Sequence, residues 1–260
     1  MPARHSLLRG LKALALAGGL LAAGPALAAG DAEHPPQANF SFEGLFGTFD
    51  RASAQRGFQV YKEVCSACHA MHQLSYRNLR ELGLSDAEVR AIAATVQVQD
   101  GPNDEGEMFE RPGRPSDRFR SPFPNEKASR AANNGAYPPD LSVIVKAREG
   151  GADYLHALLV GYEDPPADFH LMDGMHYNKY FTGRQIAMPP PLAADDQVEY
   201  HDGTKATIDQ MARDVTTYLA WAAEPELEQR KAIGVKMVLF LTVLGFLAYG
   251  VKRKVWADVH

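Results

Sequence analysis

The chain has 260 residues, a formal net charge of −5 at pH 7, and two cysteines. This length suits one domain with a hydrophobic core, and two cysteines cannot complete a zinc site with four thiolate ligands. The acidic balance also argues against nucleic acid as a partner.

The N-terminus has the features of a secretory signal peptide. Three bases precede a short apolar run, and the small residues Ala26 and Ala28 frame a cleavage site. The apolar run is too short to span a bilayer, so a retained membrane anchor is the less favoured alternative. We therefore predict a signal peptide over residues 1–28 and an exported chain from residue 29 onward.

A helical pattern over residues 51–65 leads into the most informative motif, in which Cys65, Cys68 and His69 follow in Cys-x-x-Cys-His order. Two thiols at this spacing can bond the two vinyl groups of one porphyrin, and the adjacent imidazole can bind its iron. The motif therefore predicts a covalently attached c-type haem. Three alternatives are weaker. A redox dithiol would need a strand–helix context, a disulfide here would be strained, and a zinc site would need a fourth ligand.

The next segments predict short helices joined by loops. Ser85 and Glu88 form a capping-box pattern, and residues 101–124 are rich in Gly, Pro and charge, as in an extended loop. No strong run of alternating strands is found, so the predicted fold is all-α with long irregular loops around a cofactor. Helices are predicted at three further places: residues 140–148, residues 152–160, and a stretch capped by Thr207 or Asp209 that runs to Trp221.

A haem that transfers electrons without binding substrate needs a second axial ligand, usually Met or His. Met188 lies in a loop with three following prolines, which fix the backbone φ angle ahead of the last predicted helix of the exported domain. We therefore predict Met188 as the distal ligand. Met172 and Met175 also compete for this position, and ligation by two histidines through His170 or His176 is the main alternative.

A second apolar segment, residues 233–251, approaches the ~20-residue length that crosses a hydrocarbon core. Acidic residues precede it and three consecutive bases follow it. The positive-inside rule then places the C-terminus in the cytoplasm. We predict a single span of the cell inner membrane over residues 231–251 and a cytoplasmic tail over residues 252–260. A buried core helix is the alternative.

Between these segments, residues 29–230 are predicted to form one periplasmic domain. This domain has 19 Lys and Arg against 31 Asp and Glu, a net charge of −12. Each acidic cluster alone is an ordinary solvated surface, but the total favours attraction to a basic partner. The acids concentrate in three clusters: residues 100–110, 163–173 and 195–202.

Several further segments are distinctive: YRNL at 76–79, RAANNGA at 130–136, PPDLS at 138–142, GY at 161–162, IAMP at 186–189 and WAAEPE at 221–226. Together with the haem motif and the C-terminal anchor, they resemble cytochrome c1, the haem c subunit of the cytochrome bc1 complex. The resemblance runs the length of the mature chain, and it implies a cytochrome c-like haem domain with one transmembrane helix.

The resemblance implies that one haem c is attached through Cys65 and Cys68, bound by His69 and Met188, and paired through a propionate with Arg130. Some bacterial members have a second cysteine pair near the distal ligand. This chain lacks it, so the prolines after the distal ligand are expected to hold that loop. The implied lining of the pocket adds three residues: Asn133, Tyr137 and Pro139.

The resemblance further implies a role in electron relay, respiratory or photosynthetic. Electrons would pass from the Rieske iron–sulfur protein to a soluble basic c-type cytochrome, with cytochrome b as a neighbour in the complex. The chain would supply no catalytic acid, base or nucleophile. Two alternatives stay open: a tethered c-type carrier that serves an oxidase or a reaction centre, and a haem peroxidase.

Overall fold

The computed structural model describes residues 32–259, so the predicted signal peptide lies outside the described residues. Within this range the chain forms six α-helices: α1 (Arg51–Glu63), α2 (Asp86–Ala94), α3 (Glu126–Ala132), α4 (Gly151–Val160), α5 (Ile208–Ala223) and α6 (Leu227–Val255). It also forms two 3₁₀ segments, Cys65–Ala67 and Tyr76–Leu82, and four short strands: β1 (Gln97–Asp100), β2 (Phe109–Pro112), β3 (His176–Tyr177) and β4 (Gln185–Ile186).

Side-chain caps set the starts of the predicted helices. The predicted capping box of α2 is confirmed, because Ser85 accepts from the Glu88 amide while Glu88 accepts from the Ser85 amide. For α5 the structure selects Thr207 over Asp209, since the Thr207 hydroxyl accepts from the amide of Gln210. These contacts span three residues or fewer, which is why the sequence alone reveals them.

The core forms where α1 packs against α5, and α4 also contacts α5. The two helix backbones touch at Gly57, where an added Cβ would lie 1.9 Å from the Asp214 carbonyl oxygen. Aromatic rings fill the space beside this contact, with Phe58 5.6 Å and Tyr61 5.7 Å from the Tyr218 ring. The last turn of α1 is thereby fixed, and the haem motif begins there.

Two expectations about the middle of the chain are wrong. Residues 140–148 follow a series of turns rather than a helix, because contacts with the segment after the haem motif hold them. The Leu141 amide donates to the Ala70 carbonyl at 2.9 Å, and the Ser142 hydroxyl accepts from the Gln73 amide at 3.0 Å. The predicted loop over residues 101–124 contains β2, which pairs antiparallel with β1.

The all-α prediction is therefore right only in part. Helices dominate, but β1–β2 and β3–β4 add two small antiparallel sheets. Strands of two to four residues are too short to show a clear period in the sequence. Helix α3 was not predicted either, because its seven residues carry almost no apolar face.

Helix α6 is a single element of 29 residues that extends beyond the predicted span at both ends. Among the described residues, it is the one helix long and apolar enough to cross a membrane. Its most apolar window has a mean hydropathy of 2.0 and no buried residues. A buried core helix, the alternative considered above, would not leave this surface exposed.

Candidate haem-binding site

The two cysteines lie in a tight turn at the end of α1. The amides of Cys68 and His69 both donate to the Cys65 carbonyl, at 3.1 and 2.9 Å. Both thiols are free of disulfides. Burial, reinforced by the neighbouring Cys68, raises the pKa of Cys65 to about 12. A redox dithiol needs a lowered thiol pKa, so this environment does not favour the dithiol alternative.

The imidazole of His69 is held by a residue far along the chain. Its Nδ1 lies 2.8 Å from the Pro139 carbonyl oxygen, which can only accept, so Nδ1 carries the proton and Nε2 keeps its lone pair. Burial lowers the pKa of His69, although Pro139 and Asp140 oppose the shift. A neutral imidazole oriented by a carbonyl is the arrangement that metal-binding histidines adopt.

The loop of Met188 is held by a hairpin and by Tyr162. Met188 follows β4 after one intervening residue and is half-buried. Its backbone carbonyl accepts from the Tyr162 hydroxyl at 3.0 Å. Burial, aided by Tyr154, raises the pKa of Tyr162, so the phenol stays protonated and able to donate. The thioether therefore sits on a backbone with a fixed hydrogen bond.

The other predicted distal candidates differ in their setting. His176 lies on β3 directly opposite Ile186. His170 and Met172 are exposed. Met188 and His69 are each held by a separate hydrogen bond, Met188 through Tyr162 and His69 through Pro139.

Two predicted pocket residues, Arg130 and Tyr137, are brought into contact. The Arg130 guanidinium lies 5.4 Å from the centroid of the Tyr137 ring. It also pairs with Glu126 at 2.7 Å and donates to the Gly135 carbonyl at 3.0 Å. A propionate at this position would thus join an arginine that already neutralises one carboxylate.

Asn133 ends α3 and turns the chain back. The side-chain amide of Asn133 donates to the Ser129 carbonyl at 2.7 Å. Asn134 and Gly135 follow with φ angles of +51° and +85°. Asn and Gly are the residues that tolerate this left-handed backbone. The turn brings the segment around Tyr137 against the end of α3, so Asn133 has at least a positioning role.

Two contacts near the site escaped the sequence reasoning. Tyr162 belonged to a recognised segment but received no role, because its contact with Met188 spans 26 residues. The His72 imidazole lies 2.5 Å from Asp140 and 2.8 Å from the Ser121 hydroxyl. The His72 side chain is 55% exposed, so this Asp–His–Ser set lacks the enclosure of a nucleophile site. These hydrogen bonds connect His72, which follows the motif, to Asp140, which follows Pro139.

The donor set fits a covalently bound haem better than a bare metal ion. It combines two unpaired thiols, an oriented neutral imidazole and a thioether on a fixed loop. Among residues 32–259 no group of three His, Cys, Asp or Glu side chains could hold a metal ion, so the zinc alternative finds no support. A cavity of about 370 Å³ lies beside the motif. Its lining includes Ser66, Ala67 and four aromatic rings but none of the predicted haem-binding residues.

Comparison with known proteins agrees with this chemistry. Residues 40–259 match the Cytochrome C1 family. The chain is 49% identical over 255 residues to "Cytochrome c1 1, heme protein, mitochondrial" of Arabidopsis thaliana, covering 95% of this chain and 83% of the relative.

Two other relatives carry names that point to a complex. The chain is 49% identical over 250 residues to "Cytochrome b/c1" of Bradyrhizobium diazoefficiens, covering 88% of this chain and 36% of the relative. It is 51% identical over 227 residues to "Cytochrome b-c1 complex catalytic subunit, mitochondrial" of Candida albicans, covering 87% and 78%.

Proposed function

This chain belongs to the cytochrome c1 family, and we propose that it relays single electrons within a cytochrome bc1 complex. The donor is the Rieske iron–sulfur protein and the acceptor is a soluble basic c-type cytochrome. The observation that carries the proposal is the Cys65–Cys68–His69 turn, with the His69 imidazole fixed by the Pro139 carbonyl. The name of the Arabidopsis relative, which describes it as a heme protein, supports the same cofactor.

In this proposal Cys65 and Cys68 would hold one haem c through two thioether bonds, and His69 and Met188 would bind its iron. When bound, the haem supplies a one-electron couple between ferric and ferrous iron. The Pro139 carbonyl holds the proton on Nδ1 of His69 and so keeps Nε2 available as a ligand.

The remaining residues shape the pocket. Tyr162 holds the backbone of Met188, so the thioether needs little reorganisation to act as a ligand. Arg130, stacked on Tyr137, offers positive charge to a propionate. Asn133 holds the turn between the end of α3 and Tyr137. If His69 and Met188 both bind the iron, the haem would have no open position for substrate, and its chemistry would be electron transfer.

The proposed arrangement in the cell has three parts. After removal of residues 1–28, residues 29–230 form the haem domain in the periplasm, and α6 carries the span of the inner membrane, residues 231–251. Residues 252–260 lie in the cytoplasm, because Lys252, Arg253 and Lys254 end the helix. Cytochrome b is the proposed neighbour, and the Bradyrhizobium relative supports it because its name joins both cytochromes.

Purification of the full chain from membranes in a mild detergent tests the proposal. We expect a low-spin haem spectrum with a thioether-to-iron charge-transfer band, and we expect cytochrome b and the Rieske protein to co-purify. A high-spin spectrum would point to the peroxidase alternative. A low-spin cytochrome that purifies without cytochrome b, under conditions that keep a known bc1 complex intact, would favour the tethered carrier.

A further inference from the structure

The loop before α1 exposes two large apolar side chains at its tip. Leu45 is 64% and Phe46 79% exposed, although the neighbouring rings of Phe40, Phe42 and Phe49 are buried in the core. We call residues 44–47 the apolar tip. Exposed apolar residues beside a membrane-spanning helix require an explanation that a single surface leucine does not.

The apolar tip is a built feature and not a loose loop. Gly44 has a φ angle of +68°, and a Cβ on Gly47 would lie 1.9 Å from the Glu43 carbonyl oxygen, so the two glycines permit a tight fold. Below the tip, the Phe42 ring lies 5.1 Å from both the Phe40 and the Phe49 rings. This aromatic base holds the tip in place while its two side chains stay in solvent.

The apolar tip is attached to the first turns of α6. The Lys231 ammonium donates to the carbonyls of Phe42 at 2.6 Å and of Gly47 at 3.1 Å, one on each side of the tip. Glu228 accepts from the Phe49 amide at 2.8 Å. Lys231 and Glu228 directly precede the apolar part of α6, which begins at Ile233. The tip therefore lies level with the point where α6 enters the bilayer.

We propose that Leu45 and Phe46 insert into the membrane interface beside the N-terminal end of α6, which we call the foot of α6. They would form a second membrane contact of the haem domain. This inference rests on the proposed membrane span of α6. Insertion removes two large apolar side chains from water, as it does for interfacial membrane segments. Lys231 adds one positive charge at this level, whereas the Arg51 guanidinium is paired with Glu228 at 3.0 Å.

A second membrane contact would restrict how the haem domain rotates above the bilayer. A single helix leaves the domain free to rotate about the helix axis, whereas a second contact beside the helix restricts that rotation. The orientation of the haem domain above the membrane is then set partly by the apolar tip. Electron transfer between fixed and mobile partners benefits from such a defined orientation.

Photo-crosslinking in the full chain, assembled in its native membrane, tests the inference. The photoreactive residue p-benzoylphenylalanine replaces Phe46, since it is close to phenylalanine in shape and reacts with nearby C–H bonds. Phe240, 59% exposed on α6, is the positive control, and Phe109, 44% exposed on β2, is the matched control away from α6. An unchanged haem spectrum shows that each variant is folded.

We expect phospholipid adducts at positions 46 and 240 in comparable yield, and none at position 109. Lipid adducts at 240 without any at 46 would overturn the inference while leaving the membrane span intact. Adducts at 46 to cytochrome b alone would overturn it in favour of a protein contact. An absence of adducts at 240 to both lipid and membrane-embedded protein would instead refute the span itself and the inference with it. The same replacement at Leu45 serves if the variant at Phe46 does not accumulate.

Discussion

The nitrogen of His69 that can bind iron is selected by a carbonyl 70 residues away along the chain. The Pro139 oxygen can only accept, so it holds the Nδ1 proton and leaves the Nε2 lone pair available. Pro139 can take this role because its carbonyl accepts the hydrogen bond, while the backbone N–H that a proline lacks is not needed for it. At the scale of single residues, the proposed site depends on such backbone acceptors as much as on the ligands themselves.

Replacement of the proposed distal ligand tests the site directly. Met188→Leu should leave the haem covalently attached but lower its reduction potential, because a thioether favours ferrous iron. Potentiometric titration and the thioether-to-iron charge-transfer band report the change. An unchanged potential with the band retained would remove Met188 from the iron and direct attention to His176. Met172→Leu, at an exposed methionine, is the control and should change neither quantity.

Tyr162 should act through the backbone of Met188 and not on the iron itself. Tyr162→Phe removes one hydrogen bond to the Met188 carbonyl, with an expected loss of about 1 kcal/mol. We expect the charge-transfer band to form but to disappear at lower denaturant concentration than in the wild-type protein. Tyr154→Phe is the control, since this tyrosine is also half-buried. Equal behaviour of the two variants would contradict a positioning role for Tyr162.

At the scale of elements, the crossing of α1 and α5 carries both packing and charge. Asp214 is fully buried on α5, yet its carboxylate accepts from the Ser53 hydroxyl at 2.7 Å and from Arg56 at 2.8 and 3.0 Å. Such a pair is costly to break because one partner would remain buried and unpaired. The contact fixes the register of the helix that leads into Cys65.

Gly57 is the residue that permits this close crossing, so an added methyl group should disrupt it. By helix propensity alone, Gly57→Ala would stabilise the protein by about 1 kcal/mol. The contact at 1.9 Å with the Asp214 carbonyl reverses the sign, and we expect a net destabilisation of about 1–3 kcal/mol from overpacking. Denaturant titration of the full chain in detergent, followed by circular dichroism, measures it.

The control for this substitution lies on the same helix. Ala52 is exposed, so Ala52→Gly reports the propensity difference without the helix–helix contact, at about 1 kcal/mol or less. If Gly57→Ala proved more stable than the wild-type protein, the close approach of α1 and α5 would be wrong.

At the scale of the whole molecule, the structure separates the three acidic clusters. The 195–202 cluster is partly used internally, since Asp202 pairs with Arg56 at 2.7 Å and Asp195 with Lys205 at 3.8 Å. The other two clusters each have one paired carboxylate, Asp100 with Arg111 and Glu163 with Lys179, while Asp104 and Glu105 take part in no ion pair within residues 32–259. The carboxylates available to a basic partner therefore concentrate away from the 195–202 cluster.

The rate of electron transfer to a basic c-type cytochrome should depend on these unpaired carboxylates. The second-order rate constant should fall as added salt shortens the Debye length from about 10 Å at 0.1 M to about 3 Å at 1 M. Stopped-flow oxidation of the reduced protein measures it. Asp104→Lys should slow the reaction more than Glu149→Lys, a control with the same change in net charge at an exposed site outside the clusters. A rate constant independent of salt would mean that docking is apolar.

The sequence by itself determined the features that depend on near neighbours in the chain. The Cys65–His69 motif, the Ser85–Glu88 capping box and the apolar length of α6 each occupy one continuous stretch of the chain, so spacing and composition reveal them. Sequence reasoning failed for residues 140–148, where hydrogen bonds with Ala70 and Gln73 hold the chain in turns, and for β1–β2, whose strands are too short to show a period.

Only the tertiary structure decided which distant groups meet. The hydrogen bonds from His69 to Pro139 and from Tyr162 to Met188, and the contact of Gly57 with Asp214, join residues 26 to 157 positions apart. The same holds for the contact of Lys231 with the loop at Phe42 and Gly47, which places Leu45 and Phe46 beside the foot of α6. Such contacts leave no periodic trace in the sequence, because they are set by how whole elements pack and not by the spacing of residues along one of them.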